Sequence, residues 1–171
     1  PVDIHSIKTL KFSQNIEDSY IKSIFNDLTN EQKILVRLVA FFHDIGKGRT
    51  EDHHIVGEKL FKSMMKSFDF NEEFIKLGAR LVRYHNMMSY MATHEDIYSE
   101  KTILNFTGLI KTKEALKLLY AVTYCDISAV GKNIFSSSTA SLLKQLYLQS
   151  LPAFENEEFL NESKRRIAKQ N

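Results

Sequence analysis

"TNEQKILVRLVAFFHDIGKG", residues 29–48, decides the fold. Thr29 or Asn30 has the short polar side chain that accepts hydrogen bonds from the unpaired N–H groups of a helical first turn. Gly46 and Gly48 are stop signals, since glycine takes up the left-handed conformation that closes a helix. Between them the apolar residues run almost all round, which predicts a helix at the centre of the molecule. At its far end stand His43 and Asp44, two polar groups directly behind an apolar run.

Working outward, apolar residues recur at helical spacing throughout, and no stretch alternates as a strand would. The reading is all-α, with seven to nine helices. Helices are expected over about 3–12, 18–28, 52–67 and 71–85. Further helices are expected over about 100–109, 112–130, 137–151 and 157–169. The segment "NMMSYMATHEDIYSE" (86–100) reads as an irregular connection, and "LPAFEN" (151–156) as a break.

With 171 residues, 43% of them hydrophobic and 26% charged, the chain has the size and composition of one globular domain. Residues 1–171 are taken as that domain, with 152–171 as a candidate C-terminal linker helix. The abrupt opening at Pro1 suggests a piece of a longer protein. The 23 basic and 21 acidic residues give a net charge of +2, and the basic ones are dispersed, which disfavours nucleic acid as a partner. "ILVRLVAFF" (34–42) is far shorter than the ~20 residues a membrane span needs. No signal peptide is visible, and the single cysteine, Cys125, suits a reducing compartment, so the expected location is cytoplasmic.

Residues three or four apart share a helix face. His43 shares its face with Val36, Val39 and Ala40, His85 with Gly78, Leu81 and Val82, and Asp126 with Leu119, Val122 and Ala129. His53 looks towards Val56, Gly57 and Leu60. Four helices thus each aim a metal-capable group inward. A buried carboxylate such as Asp126 needs a partner, and Arg37, Lys47 or Arg83 would serve as an ordinary ion pair. So many inward imidazoles and carboxylates, however, would leave repelling or unsatisfied groups unless a cation organised them. A nitrogen and oxygen ligand set without sulfur favours Mn²⁺, Fe²⁺, Co²⁺, Zn²⁺ or Mg²⁺.

The order His5, His43-Asp44, Asp126 resembles the HD superfamily of metal-dependent phosphohydrolases. "VDIHSIKTL", "FFHDIGKGRTEDHHIVGEKL", "ARLVRYHNMMSYMATHEDI", "YAVTYCDISAVG" and "SLLKQLYLQS" together resemble the HD domain of the bacterial bifunctional uridylyltransferase/uridylyl-removing enzymes. The resemblance implies a compact helical bundle and hydrolytic release of UMP from a tyrosine of uridylylated PII signal protein. It implies metal ligation by His5, His43, Asp44 and Asp126, with His53 and His85 as the additional histidines of binuclear members. His54 adjoins a ligand position where the family commonly has a small residue, and reads as a group behind the ligands or at the surface. His94, in a polar stretch, reads as solvated. Gly46 stands where alanine is common, a departure not expected to bear on the chemistry.

The mechanism expected from these residues has Asp44 bridging two cations, with His43 and Asp126 on one and His53 and His85 on the other. With a single cation, His53 or His85 would steer the phosphate or move protons. Lys47 is the expected phosphate contact or leaving-group aid, with Arg49 and Arg83 as further substrate-binding candidates. "NMMSYMA" could form a lip over the site, with some of its residues in the core. The same chemistry would serve another nucleotide substrate, and a module that binds nucleotide or PII without turnover is the alternative of a different class.

Overall fold

Short polar side chains set most of the helix starts. In the computed structural model, which describes residues 1–170, Asp18, Thr29, Asp52, Asn71, Thr112 and Ser136 each accept a hydrogen bond from a backbone N–H of the turn they precede. They open α2 (Ser19–Asn26), α3 (Asn30–Phe42), α4 (His53–Ser67), α5 (Glu72–Arg83), α8 (Lys113–Val130) and α9 (Ser137–Glu155). At Thr29 the cap is reciprocal, because the Gln32 side chain returns a bond to the Thr29 N–H. The remaining helices are α1 (Val2–Gln14), α6 (Met87–His94), α7 (Glu100–Ile110) and α10 (Glu157–Gln170). The described residues contain helices and turns and no strand, so the all-α expectation holds.

The central helix is α8 rather than α3. Every residue from Leu118 to Cys125 is buried, so α8 is enclosed on all sides, whereas α3 leaves Ile34 46% exposed and buries one face through Leu35, Val36, Val39 and Ala40. Helices α1, α2, α3, α5, α6 and α9 all pack against α8, and α7 joins α6 and α9. Helix α10 lies against α7 and α9. The α4/α5 hairpin is held close at Gly78, where a β-carbon would come within 2.5 Å of the Phe61 ring.

Two further expectations from sequence are revised, and α1 adds an observation of its own. "NMMSYMATH" is helical, because Met88 and Ala92, one turn apart, bury a face against the core where α8 and α9 meet it. Helix α9 continues through Pro152 to Glu155, where a break was expected; proline removes one backbone donor, and burial of Ser150 and Ala153 on either side holds the helix together. Helix α1 turns its small polar residues Ser6, Thr9 and Ser13 inward and leaves Val2, Ile4 and Ile7 exposed, a reversal of ordinary amphipathic packing. That rotation places His5 opposite α8.

Candidate metal centre

Asp126, four residues from the end of α8, faces α1. Its Oδ1 lies 2.7 Å from His5 Nε2 and 3.3 Å from His43 Nε2. His43 caps the C-terminal end of α3 with helical backbone angles, so it extends the buried face of that helix by one residue. Its Nδ1 donates to the Ala40 carbonyl at 2.8 Å, which turns Nε2 towards the carboxylates. His85, just past α5, is built the same way, with Nδ1 donating to the Val82 carbonyl at 2.7 Å. A histidine whose Nδ1–H is fixed on a carbonyl offers its other nitrogen as a ligand.

Asp44 stands between the two imidazoles. One carboxylate oxygen is 3.4 Å from His43 Nε2 and 2.7 Å from Lys47 Nζ, and the other is 3.5 Å from His85 Nε2. His43, Asp44 and His85 are each no more than 2% exposed. The contacts around His43 Nε2 and Asp44 Oδ1 are close but not aligned as hydrogen bonds. Both atoms are buried without a hydrogen-bond partner, as is His53 Nε2 at the start of α4. Leaving such a group unsatisfied costs about 1–3 kcal/mol. Ligand atoms of His5, His43 and Asp44, and again of His43, His85 and Asp126, lie within 4.8 Å of one another. Buried unpaired donors, mixed nitrogen and oxygen, at this spacing fit a divalent cation.

The charges reinforce one another. Burial opposes protonation of His43, but Asp126 and Asp44 outweigh it and raise the imidazole to about 9. Burial likewise opposes ionisation of Asp44, yet His43, His85 and Lys47 hold it far below the usual carboxylate range. Asp126 is lowered in the same way, burial being outweighed chiefly by His43. Because the folded value for His43 exceeds the unfolded one, its stabilisation of the cation-free protein is complete below pH ~6.5 and lost as pH rises through about 9. Ligation needs the unprotonated imidazole. With chelator, Tm is therefore expected to fall across that window, while the Tm gain on adding Mn²⁺ grows; thermal melts at stepped pH check both trends.

The cleft above these groups, about 470 Å³, is lined by His5, Asp44, Lys47, Asn86 and Asp126, with Val2 and Val130 at its edge. The structure thus gathers His5, His43, Asp44, His85, Asp126 and Lys47 in one place, with His53 reaching it from α4. His53, His54 and His85 form a third group with ligand atoms within 4.8 Å. The sequence places His54 behind the ligands or at the surface and does not single out Asn86; the signal for a closer role of His54 is its place beside His53, directly after the Asp52 cap. Arg49 is exposed, on the turn beyond Lys47. Arg83 is not brought to the cleft: its guanidinium holds Glu58 at 2.7 Å and borders a separate groove with Lys62, Lys76 and Arg80. Asp126 pairs with histidines rather than with any of the three cations considered for it. Arg83→Ala is expected to leave Mn²⁺ affinity within about twofold, since it breaks only a partly exposed ion pair on another face; titration calorimetry checks this. His94 is exposed, stacked on Tyr90.

Gly46 is more consequential than its sequence suggests. A β-carbon there would sit 2.0 Å from the His53 carbonyl oxygen and 2.6 Å from the Gly57 nitrogen. The turn after Asp44 therefore lies directly against the first turn of α4, which carries His53 and His54.

An all-α bundle whose helices bring histidines and aspartates together in a cluster that could hold a metal ion defines a class of helical domains. Within that class, residues 2–126 match the HD domain family, and the chain belongs to it. Among curated proteins it is similar to the bifunctional uridylyltransferase/uridylyl-removing enzyme of Bradyrhizobium diazoefficiens, 33% identical over 88% of this chain and 17% of that protein. The enzyme of the same name from Cereibacter sphaeroides is 34% identical over 90% of this chain and 17% of its own length. That from Zymomonas mobilis is 34% identical over 85% of this chain and 16% of its own. The chain spans about a sixth of the length of these relatives. No helix among the described residues is long and apolar enough to cross a membrane.

Proposed function

We propose that this domain is a metal-dependent phosphodiesterase that removes UMP from the tyrosyl ester of a uridylylated PII-type signal protein. The observation that carries the reading is the position of Asp44, buried between two imidazoles with an oxygen left unpaired, at the floor of a cleft edged by an ammonium group. The uridylyl-removing half of the relatives' name supports the substrate.

When bound, a divalent cation supplies Lewis-acid stabilisation of phosphoryl oxygens and acidification of water. His5, His43, Asp44 and Asp126 would hold it, with His53 and His85 serving a second ion. The chain's own groups do the rest. The Ala40 and Val82 carbonyls fix His43 and His85 in the tautomer that presents Nε2. Lys47 Nζ, on a 44% exposed side chain and now paired with Asp44, is free to swing to a phosphate oxygen and neutralise its charge. Water adds to phosphorus and the P–O bond to the tyrosine breaks, giving UMP and the free phenol. A phenol with a pKa near 10 is a good leaving group and needs little protonation. Asn86, at the start of α6, edges the cleft; Met88 and Ala92 of the expected lip are in the core.

Incubation of uridylylated PII with the protein and Mn²⁺ should release UMP and return PII to its unmodified mass, and EDTA should stop the reaction. Release of UMP unaffected by chelator, or intact substrate with every one of Mn²⁺, Co²⁺, Zn²⁺, Fe²⁺ and Mg²⁺, would contradict the assignment.

A further inference from the structure

The sequence places two histidines side by side at the first turn of α4, and only His53 has a place in the scheme above. His54 is not arranged as an idle surface residue. Asp52 Oδ1 accepts from the His54 backbone N–H at 2.9 Å and lies 3.2 Å from Nδ1 of the same residue. The carboxylate thereby accepts a hydrogen bond from Nδ1–H, which leaves Nε2 as the atom with a lone pair. A carboxylate on one imidazole nitrogen, orienting the other, is the support that metal-binding histidines commonly have.

The far side of the ring is equally informative. His54 Nε2 is 3.0 Å from Asn86 Nδ2, and Asn86 lines the same cleft as Asp44 and Lys47. Asn86 begins α6 without a side-chain cap bond, so its amide is not committed to that helix. The His54 ring lies 3.8 Å from that of His53, whose Nε2 is buried with no hydrogen-bond partner, and 5.1 Å from that of His85. Three imidazoles therefore meet at ligand spacing, one of them with an orphaned nitrogen.

We propose that His54 is a metal ligand of this chain, completing with His53 and His85 a three-imidazole site that takes a divalent cation, the Asn86 amide giving way as the ion enters. This inference rests on reading the cleft as a metal centre and adds to it a donor outside the six residues already assigned. Imidazoles alone suit Zn²⁺ or Co²⁺ and not Mg²⁺, whereas the carboxylate-rich side around Asp44 and Asp126 accepts harder ions. The two sites should therefore differ in metal preference.

Titration calorimetry with Co²⁺, followed also by the visible absorption of the bound ion, tests this on the intact 171-residue chain. Two ions per wild-type chain are expected. His54→Ala should retain one and weaken the other by about tenfold or more, with a changed Co²⁺ spectrum. Asp52→Asn keeps an N-cap residue and removes the charge, and should weaken the same ion by roughly 10–100-fold. Unchanged affinities and an identical spectrum in His54→Ala would overturn the inference, whatever hydrolysis does. A wild-type chain that binds no ion at all would instead overturn the metal reading beneath it.

Discussion

Asp44→Asn is expected to lower UMP release by about 10³-fold or more, equivalent to about 4 kcal/mol of transition-state stabilisation. The carboxylate is 2% exposed, faces His43 with one oxygen and His85 with the other, and takes the Lys47 ammonium as well. Asparagine preserves its shape but replaces one oxygen with a donor and removes the charge that would hold a cation. The same substitution should therefore abolish the Tm gain on adding Mn²⁺, while chelator-treated protein still unfolds cooperatively. Calorimetry and single-turnover assays on one preparation separate the two effects. A variant that kept its metal and lost only turnover would move Asp44 from ligand to proton carrier.

Gly46→Ala should be nearly as damaging, although it touches no ligand. The added methyl would meet the His53 carbonyl and the Gly57 nitrogen, both backbone atoms that cannot rotate away. Overpacking of this kind costs about 3 kcal/mol, or roughly 6–12 °C in Tm for a domain of this size. The chain can relieve the clash only by moving the start of α4, and with it His53 and His54. A displacement near 1 Å at a catalytic group costs on the order of 10²-fold in rate, so activity and second-ion affinity should fall together. Thermal melts and Co²⁺ titration check this; unchanged values for both would show that the turn and α4 are not in contact.

Much of the fold is legible in the chain. Thr29, Asn71 and Thr112 announce α3, α5 and α8 through cap chemistry that depends on neighbouring residues alone. The inward direction of His43, His85 and Asp126 follows from helical periodicity, which acts over one or two turns. What escaped is tertiary. Residues 87–94 make only about two turns, too short for helical periodicity to declare itself, and Met88 and Ala92 become a face only against α8 and α9. Pro152 stops a helix in isolation but not one whose flanks are already buried. Centrality was assigned to α3 from its apolar run, yet α8, with tyrosines and a threonine among its residues, is the enclosed helix because α1, α2, α3, α5, α6 and α9 all pack on it.

The site divides along the same line. Spacing pointed to ligand types; the carbonyls that orient His43 and His85 lie three residues back on the same helix ends and depend on how each end closes, whereas the His54–Asn86 contact joins residues 32 apart and arises only where α4 meets α6 in space. Arg83 shows the converse: two residues before His85 in sequence, it faces Glu58 on α4, because neighbours on a helix diverge by about 100° per residue. Gly46 was read as a neutral replacement because the sequence does not reveal that the backbone of α4 lies against it.

Anomalous diffraction at the manganese edge, from crystals of the protein grown without chelator and soaked in Mn²⁺, would show directly whether α1, the end of α3 and α8 share an ion. A peak in contact with His43 Nε2 and with carboxylate oxygens of Asp44 and Asp126 is the expected result. Clear density for all three side chains with no anomalous peak between them would contradict it.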